Sequence, residues 1–427
     1  MADLSSFSAA LKTQFIGPIR DNIYKKKVLL YGMRTRDAKD TTPVNGTDKS
    51  FSGISSSAEG IDYVGNTFRI PIHSAPNQGV GFRAEGGKLP AAGNQGYKYI
   101  TDNLKYVYGR FSLTGPLMKA SESDKGAFQK ALTEEMNRLS DDVKQRLNAA
   151  AFGSGNGVVA TVSSGANSAT QTLDTTIYLD GQNEYVDIYS SDLNTYRGST
   201  SVSITSVDRS AKQVVLSSSV NTTTNDVLIF ASSDSTSSAP NNDKGAVING
   251  LQNIVASSGA LHNLNPASAG EGFWKSYVYA AGGDVIGENI LRTVKDEIGF
   301  ASGSDDDLLM VTTRGIVKRY ASSLTAMKRF NDAQSVNLHG GFKAVLFDET
   351  PMVADDHCPV GNLFALNTQA LLWMKGSDFE WMEQDGSILK WNAGYDSYTA
   401  ILFNYMNLGT TARNRHARVS GAADDSR

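Results

Sequence analysis

The longest helical pattern in the chain lies between residues 121 and 153. Its large apolar side chains are spaced three or four residues apart, which places them in one stripe along an α-helix. Ser121 and Asp124 are typical of a helix start, and Gly153 is typical of a helix end. The pattern predicts a long helix with one apolar stripe and one polar face. The stripe contains Phe128, Leu132, Met136, Leu139, Val143 and Leu147, and the polar face contains Glu134, Arg138, Asp142 and Arg146.

From residue 66 onward, two extended segments flank a glycine-rich loop. The segments are TFRIPIHS, which starts at Thr67, and YKYITDNLKYVYGRFSLTG, which starts at Tyr97. Their polar, apolar and aromatic residues alternate with the period of two that favours β-strands. The sequence predicts a long two-stranded hairpin with an elongated tip, GVGFRAEGGKLPAAGNQG. An isolated hairpin is marginally stable in water, so we expect its faces to contact a partner surface.

The composition shifts to Ser, Thr, Asn and Asp between residues 153 and 244. Six short runs within this stretch favour β-strands, and polar turns separate them. They predict a small sandwich or barrel inserted into a larger domain. Acidic residues outnumber basic ones here, so we expect this part not to face nucleic acid. The six runs are GVVATV, DTTIYL, EYVDIYS, STSVSITSVD, KQVVLSS and NDVLIF.

Helical and strand patterns alternate from residue 246 onward. Apolar spacing predicts helices at residues 285–298 and 315–324, with the strand DLLMVT between them. KAVLFDETPMVADD predicts two strands joined by a turn, and NLFALN and ALLWMK predict two more. The final run, DSYTAILFNYMNL, mixes β-branched and aromatic residues and is expected to complete a sheet.

The ends of the chain are basic and the middle is acidic, although the net charge is only -4. The first 50 residues carry three consecutive lysines, Lys25, Lys26 and Lys27, among many apolar residues. Apolar groups in this number are unfavourable in water, so we interpret the segment as an arm that orders against another surface. The other end is basic through Arg413, Arg415 and Arg418.

The length of 427 residues allows two or three cores, and a hydrophobic fraction of 40% indicates a soluble globular protein. No apolar run reaches the roughly 18 residues that cross a bilayer, and the first residues lack a secretory leader pattern. We therefore expect no membrane partner and a cytoplasm-like compartment. Cys358 is the only cysteine, which excludes an internal disulfide or a thiolate metal cluster within one chain.

The sequence contains fragments of phosphate-binding and metal-binding motifs, but none of these motifs is complete. Gly86, Gly87 and Lys88 resemble part of a phosphate-binding loop, but Leu89 follows the lysine where the motif requires Ser or Thr. Residues 355–358, Asp-Asp-His-Cys, contain metal-ligand types, but adjacent residues rarely converge on one ion, so a turn is favoured. Asp305, Asp306 and Asp307 precede apolar residues and not the rest of a calcium loop. We expect no catalytic residue, no cofactor and no metal.

The order of arm, hairpin, long helix, α/β region and terminal strands resembles the major capsid protein of tailed double-stranded DNA bacteriophages, the HK ninety-seven type of shell fold. The resemblance rests on AEGGKLPAAGNQGYKY, YGRFSLTGPLMKAS, TTRGIVKRYA and the segment from FEWM to HARV. It implies an α+β fold with an N-terminal arm, an extended E-loop hairpin, a P-domain with a spine helix, and an α/β A-domain. The small all-β domain is an insertion. The implied divisions are 1–59 arm, 60–115 E-loop, 116–153 spine helix, 154–245 insertion, 246–375 A-domain, and 376–427 P-domain strands and tail.

The resemblance further implies a structural protein of the virion, assembled in the host bacterial cytoplasm into pentamers and hexamers of an icosahedral head that encloses packaged double-stranded DNA. Portal and decoration proteins are expected partners. Because the arm starts almost at Met1, a separate scaffolding protein is also expected. We expect Lys25, Lys26 and Lys27 to face the DNA or a neighbouring hairpin. The expected contacts between subunits are Phe82, Arg83, Glu85, Lys88, Leu89, Arg138 and Trp391.

Three alternatives stay open at this point. An encapsulin-type shell shares the fold, although the β-rich insertion and basic arm weigh against it. A metal-dependent hydrolase with a β-rich accessory domain is the less favoured alternative from another class. Some relatives also cross-link an E-loop lysine to an asparagine, and Lys88 with Asn392 or Asn404 offers the residues for that less favoured reaction.

Overall fold

A computed structural model describes most of the chain after residue 61. The described residues are 62–64, 66–115, 125–179, 184–303, 308–325, 335–338, 342–348, 350–377, 379–383 and 386–425. The expected N-terminal arm, including Lys25, Lys26 and Lys27, lies outside them. The predicted α+β fold class is confirmed, since helices and predominantly antiparallel sheets share one chain. None of the described helices has the length and apolar character needed to cross a membrane.

The helices and strands are numbered here along the described chain. The helices are α1 (Lys125–Phe152), α2 (Leu251–Ile254), α3 (Glu288–Ser302) and α4 (Arg314–Thr325). The first ten strands are β1 (Asp62–Val64), β2 (Thr67–Ala75), β3 (Gly96–Asn103), β4 (Lys105–Thr114), β5 (Val158–Ser164), β6 (Asn167–Leu173), β7 (Tyr185–Tyr189), β8 (Val202–Asp208), β9 (Gln213–Asn221) and β10 (Val227–Ala231). The others are β11 (Tyr277–Ala280), β12 (Leu308–Thr312), β13 (Ser335–Leu338), β14 (Phe342–Phe347), β15 (Thr350–Ala354), β16 (Leu363–Asn367), β17 (Leu371–Lys375), β18 (Glu380–Trp381), β19 (Lys390–Trp391), β20 (Ser397–Thr410) and β21 (Ala417–Ser420).

The second extended segment of the predicted hairpin is two strands and not one, so that part of the prediction is wrong. Strand β3 pairs with β2, whereas β4 pairs along its length with β20 in a different sheet. The break falls at Leu104, whose side chain is buried and whose N–H donates to the carbonyl of Asn66 at 2.9 Å. Period-two alternation continues through the break, so the sequence pattern does not reveal it. The chain thereby leaves the hairpin and enters the five-stranded sheet of β4, β17, β18, β19 and β20, which we call the central sheet.

Helix α1 confirms the predicted long helix, and from Met136 onward its apolar stripe packs on the sheet that contains β4 and β20. Met136, Val143 and Leu147 are buried in the same core as residues of these strands. The close approach occurs at Gly109 in β4, where an added Cβ would lie 2.9 Å from Cγ2 of Val143. Arg138 lies on the exposed face, as predicted.

A second, polar stripe of α1 is also buried, which the sequence pattern did not predict. Ser140, Lys144 and Asn148 are 0–2% exposed and four residues apart. Lys144 donates to Asp141 on the same helix. The side-chain amide of Asn148 contacts Asp355 and His357 in the α/β region. The helix therefore has two buried faces and one wet face.

The Ser/Thr-rich stretch folds into a closed six-stranded barrel, one of the two architectures that the sequence allowed. The strands follow the order β10-β5-β6-β9-β8-β7 around the barrel. Its interior forms a separate apolar cluster. The two ends of the stretch meet where the N–H of Gly245 donates to the carbonyl of Asn156 at 3.0 Å.

The run DTTIYL was predicted as a strand and is instead a turn. Strand β6 ends at Leu173, immediately before the run. The carboxylate of Asp174 accepts N–H groups from Thr161 and Thr175, each at 2.7 Å. These bonds cap the end of the sheet and turn the chain, and the preceding residues 167–173 form the strand. Burial of Ile177, Tyr178 and Leu179 in this turn explains its apolar composition.

The α/β region contains a seven-stranded sheet of order β11-β21-β16-β12-β15-β14-β13. Helices α3 and α4 confirm the two predicted helices and bury their apolar side chains against this sheet. Strands β17, β18, β19 and β4 all pair with β20, which confirms that the last long run completes a sheet. The N- and C-terminal halves of the chain therefore share one sheet.

Arg413, in the basic C-terminal segment, is fully buried. Its guanidinium donates to backbone carbonyls of Asn253, Ile254 and Gly259 at 2.7–3.0 Å. Burial lowers the pKa of Arg413 to about 10. The arginine thus fixes the loop after α2 to the end of β20, and its charge does not form part of a basic surface.

We predict that Gly250→Ala destabilises the fold. An added Cβ would lie 2.0 Å from the carbonyl oxygen of Gly153 and 2.7 Å from that of Ala150. Backbone atoms cannot move aside cheaply, so we expect a loss of roughly 1–3 kcal/mol in the free energy of unfolding. Urea unfolding followed by circular dichroism measures this loss.

The matched control is Gly272→Ala, where an added Cβ meets no atom within 4 Å. We expect its free energy of unfolding to stay within about 0.5 kcal/mol of the wild type. Equal stabilities of the two variants would contradict the close contact between Gly250 and the end of α1.

Candidate functional site

The loop between β2 and β3, residues 76–95, exposes large apolar side chains. Val80 is 85% exposed, Phe82 is fully exposed, and Leu89 is 79% exposed. No residue of the loop belongs to a strand or helix. Single exposed apolar residues are normal on a protein surface, but three of them in one projecting loop form a candidate contact for another chain.

Side-chain bonds within the loop hold parts of it in a defined conformation. The guanidinium of Arg83 donates to the carbonyls of Phe82 and Lys88, at 2.7 and 3.1 Å. At its base, the amide of Asn77 donates to the carbonyl of Gly93 at 2.9 Å and accepts from the N–H of Gly79 at 2.7 Å. These bonds join the two sides of the loop. They therefore hold the backbone that carries the exposed apolar side chains in a defined conformation.

Five of the expected subunit contacts, Phe82, Arg83, Glu85, Lys88 and Leu89, lie together in this loop and are all exposed. The other two lie elsewhere. Trp391 is in β19 and 63% exposed. Arg138 is on the exposed face of α1. Within one subunit the seven residues therefore form at least two surfaces, and their roles as contacts stay a prediction.

A hydrogen-bonded contact between a half-buried carboxylate and a buried histidine anchors the base of the hairpin to the body of the protein. Asp102 in β3 lies 2.8 Å from Nδ1 of the buried His262 and accepts from the amide of Asn249 at 2.6 Å. Burial raises the pKa of the Asp102 carboxyl, but the hydrogen bonds and charge contributed by these partners lower it by more, so its pKa lies below the ordinary value. The carboxylate is therefore held in its charged form.

Further bonds to the same loop fix the direction of the hairpin. Lys98 in β3 forms an ion pair with Glu271 at 2.7 Å. The N–H of Thr101 donates to the side chain of Asn263 at 2.8 Å. On the side of the central sheet, the amide of Asn407 donates to the carbonyl of Asn103 at 2.7 Å. The hairpin is thus braced from two sides, and its loop projects from a rigid base.

An exposed cluster of aromatic side chains covers the face of the central sheet opposite α1. Tyr106 and Tyr108 are 49% and 55% exposed. Their rings lie 5.1 and 6.3 Å from the ring of Tyr405 in edge-on arrangements, and Phe403 lies 5.1 Å from Tyr405. The alternation of Tyr106 and Tyr108 predicted a strand but not this face, because the pairing of β4 with β20 could not be foreseen.

The turn at residues 355–358 confirms the favoured interpretation of that segment. The amide of Asn148 on α1 donates to Oδ1 of Asp355 at 3.0 Å and lies 2.8 Å from Nδ1 of His357. The ring of Tyr178, from the barrel turn, stacks on His357 with a centroid distance of 6.3 Å. Burial raises the pKa of Tyr178. These side chains join the α/β region, α1 and the barrel.

The asparagines considered for cross-linking are engaged or buried. The amide of Asn392 donates to Ser397 and Thr399, both at 2.8 Å. Asn404 is 1% exposed. Within one subunit, the carboxamide of Asn392 is therefore hydrogen-bonded and that of Asn404 is buried.

No protein-family model matches the chain, and no curated protein sequence matches it. The capsid asymmetric unit of cyanophage A-1(L) is similar, with 10% identity, 84% of this chain and 88% of that chain covered, and a TM-score of 0.49. The holo-SrpI encapsulin complex from Synechococcus elongatus has 9% identity, 86% and 84% coverage, and a TM-score of 0.44. The mature capsid of bacteriophage PhiM1 has 10% identity, 89% coverage of both chains, and a TM-score of 0.41. Two of these three structures are phage capsids and one is an encapsulin complex.

We predict that Asp102→Asn loosens the hairpin while the rest of the protein stays folded. The substitution keeps the size of the side chain but removes the carboxylate charge that lies beside His262 and Asn249. Weakening hydrogen bonds to a half-buried carboxylate costs roughly 1–3 kcal/mol, so amide exchange in β3 should become about tenfold faster or more. Hydrogen–deuterium exchange with mass spectrometry measures this change in residues 96–103.

Asp284→Asn is the control, because Asp284 is an exposed carboxylate in the segment between β11 and α3, whereas β3 pairs with β2. Its exchange in β3 should equal that of the wild type. If β3 in Asp102→Asn also exchanges at the wild-type rate, the pair between Asp102 and His262 does not anchor the hairpin.

Proposed function

We propose that the protein is the major capsid protein of a tailed bacteriophage. Copies assemble into pentamers and hexamers of an icosahedral head that encloses packaged double-stranded DNA. The observation that carries the proposal is the braced hairpin whose loop exposes Val80, Phe82 and Leu89. A rigid projection with an apolar tip is suited to contact with a neighbouring copy, and many such contacts stabilise a shell although each is modest.

In this proposal the divisions of the chain follow the resemblance. Residues 1–59 form an arm, 60–115 the E-loop, 116–153 the spine helix, and 376–427 the P-domain strands and tail. Residues 246–375 form the A-domain, and the barrel within 154–245 is an insertion. Expected partners are a scaffolding protein, a portal and decoration proteins, and the location is the virion after assembly in the bacterial cytoplasm.

The chemistry proposed for the subunit is contact and not catalysis. Among the described residues, the histidines nearest to carboxylates, His262 and His357, are buried in contacts between parts of the fold. For Lys25, Lys26 and Lys27 we propose contact with DNA phosphates or with a neighbouring hairpin. Such contact would weaken as the salt concentration rises.

We predict that Phe82→Ser combined with Leu89→Ser prevents assembly without unfolding the subunit. Burying each side chain against a neighbour contributes about 1.5–3 kcal/mol, and every subunit of a shell would lose both contributions. The exposed positions make no comparable contribution within one subunit, so its free energy of unfolding should change by about 0.5 kcal/mol or less. Negative-stain electron microscopy and analytical ultracentrifugation measure assembly.

The control is Gln78→Ser combined with Asn94→Ser, which changes two exposed polar residues in the same loop. The wild type and this control should form closed shells. Normal shells from the Phe82/Leu89 variant would show that the loop does not join subunits. Absence of shells from the wild type would overturn the capsid proposal. Wild-type shells that enclose protein cargo and no DNA would favour an encapsulin-type compartment.

A further inference from the structure

A cleft of about 320 Å³ lies between the barrel, helix α1 and strand β4. Sites for small molecules are clefts of roughly 300–1,000 Å³ that combine apolar walls with a few placed polar groups. The cleft has the size of such a site, at the lower end of the range. Its apolar walls include Leu139 and Val143 from α1, Val159 and Phe230 from the barrel, and Ile248.

Contacts between the barrel and the body hold the walls of the cleft in place. Arg146 on α1 places its guanidinium 3.8 Å from the ring centroid of Phe230. Lys105 at the start of β4 donates to the carbonyl of Gly245 at 2.8 Å. The cleft is therefore formed before any ligand binds, which reduces the entropy that is lost on binding.

The carboxylate of Asp243 lines the cleft and is half-buried. Among the described residues its cationic partner is Arg146, whose Nε lies 3.9 Å from Oδ2, which is too long for a hydrogen bond. Burial raises the pKa of Asp243 by more than the charge of Arg146 lowers it. A ligand that brings a positive charge and N–H donors to this carboxylate would supply the contacts that favour its charged form.

The other charged residues of the cleft are compatible with a cationic ligand. The guanidinium of Arg146 lies over the ring of Phe230. Asp142 adds a second carboxylate to the lining. Arg110 also lines the cleft, but neighbouring residues of a strand face opposite sides and Gly109 faces α1. The side chain of Arg110 therefore lies on the face opposite α1.

The outer edge of β4 supplies hydrogen-bond acceptors along one wall. Among the described strands, β4 pairs only with β20. On β20, the carbonyls of Ile401 and Tyr405 accept N–H groups from Met382 and Gly376, which lie on the side away from β4. Backbone groups alternate in direction along a strand, so the even-numbered residues of β20 bond to β4.

The same alternation gives the direction of the backbone groups in β4. The even-numbered residues of β20 lie opposite the odd-numbered residues of β4. The C=O groups of Tyr106, Tyr108 and Arg110 therefore point to the other edge, and all three residues line the cleft. Carbonyl oxygens at this edge can accept N–H groups from a ligand.

These features together define the chemistry of the ligand. A planar cation such as an amidinium or guanidinium forms two parallel hydrogen bonds to a carboxylate. Its other N–H groups suit the carbonyl oxygens at the edge of β4. Apolar walls favour an aromatic ring joined to the cation, because burial of the ring removes apolar surface from water.

We propose that this cleft binds a small aromatic molecule that carries an amidinium or guanidinium group. The cation lies at Asp243, and the ring lies between α1 and Phe230. The site is contained within one subunit, so the inference does not depend on assembly.

Isothermal titration calorimetry of the full-length protein with naphthalene-2-carboxamidine tests the site. The matched probe is naphthalene-2-carboxamide, which has nearly the same shape and no charge. We expect one amidine to bind per chain, and the amide to bind about tenfold more weakly or less, because hydrogen bonds between charged groups are the stronger ones.

Three variants locate the bound cation and ring. Asp243→Asn keeps the size of the side chain, and it should weaken binding of the amidine by about tenfold or more while leaving the amide unchanged. Asp284→Asn is the matched control, because Asp284 is exposed and does not line the cleft, and it should bind as the wild type does. Val159→Trp fills the cleft and should bind neither probe, with circular dichroism as the check that it folds.

Each outcome decides for or against the site. Preference for the amidine that is lost in Asp243→Asn and kept in Asp284→Asn supports it. Equal affinities of the wild type for the two probes, or no binding of either, overturn it. Unchanged binding of the amidine by Asp243→Asn also overturns it, and this result can be read even if Val159→Trp does not fold. The capsid proposal stands or falls separately, on the formation of shells.

Discussion

The antiparallel pairing of β4 with β20 is the constraint on which the rest of the structure depends. It joins residues 105–114 to residues 397–406, so the first and last parts of the described chain meet in one sheet. Helix α1 can lie on this sheet only because Gly109 has no side chain where the two elements come closest. The hairpin leaves from one end of β4, and the barrel and the α/β region follow α1 along the chain. Each of these parts is therefore positioned by the same helix and sheet.

A rigid base gives the exposed loop of the hairpin its significance. Phe82 and Leu89 project from a hairpin that Asp102 and Lys98 attach to the body through charged contacts. A freely moving loop would lose more conformational entropy on contact with a partner, whereas a braced loop loses less. The exposed apolar side chains favour contact with a partner, and the anchored base reduces the conformational entropy that the loop loses on that contact.

Local patterns predicted the helices and many strands, because the residues that decide them are close in the sequence. Met136, Val143 and Leu147 define α1 through their spacing alone. Pairing between segments that are distant in the sequence was harder to predict. The break at Leu104 depends on a hydrogen bond to Asn66 and on the position of β20, neither of which leaves a periodic signal. The DTTIYL turn was mistaken for a strand because its apolar side chains are buried without being in a sheet.

The candidate site was also predicted only in part, because its local features were predicted and its contacts between distant residues were not. The exposed loop followed from its glycine-rich composition, and five of the expected contact residues lie within it. The anchor by His262 and Asn249 was not predicted, since these residues lie about 150 positions from Asp102 and show no motif. The barrel differs from the hairpin and the central sheet in its exposed apolar side chains. Its described residues expose no large apolar side chain, whereas the hairpin and the central sheet expose eight, Val80, Phe82, Leu89, Tyr97, Tyr99, Tyr106, Tyr108 and Trp391. Surfaces that join copies need apolar area, so the hairpin and sheet are suited to assembly, and the outer surface of the barrel is suited to contact with solvent.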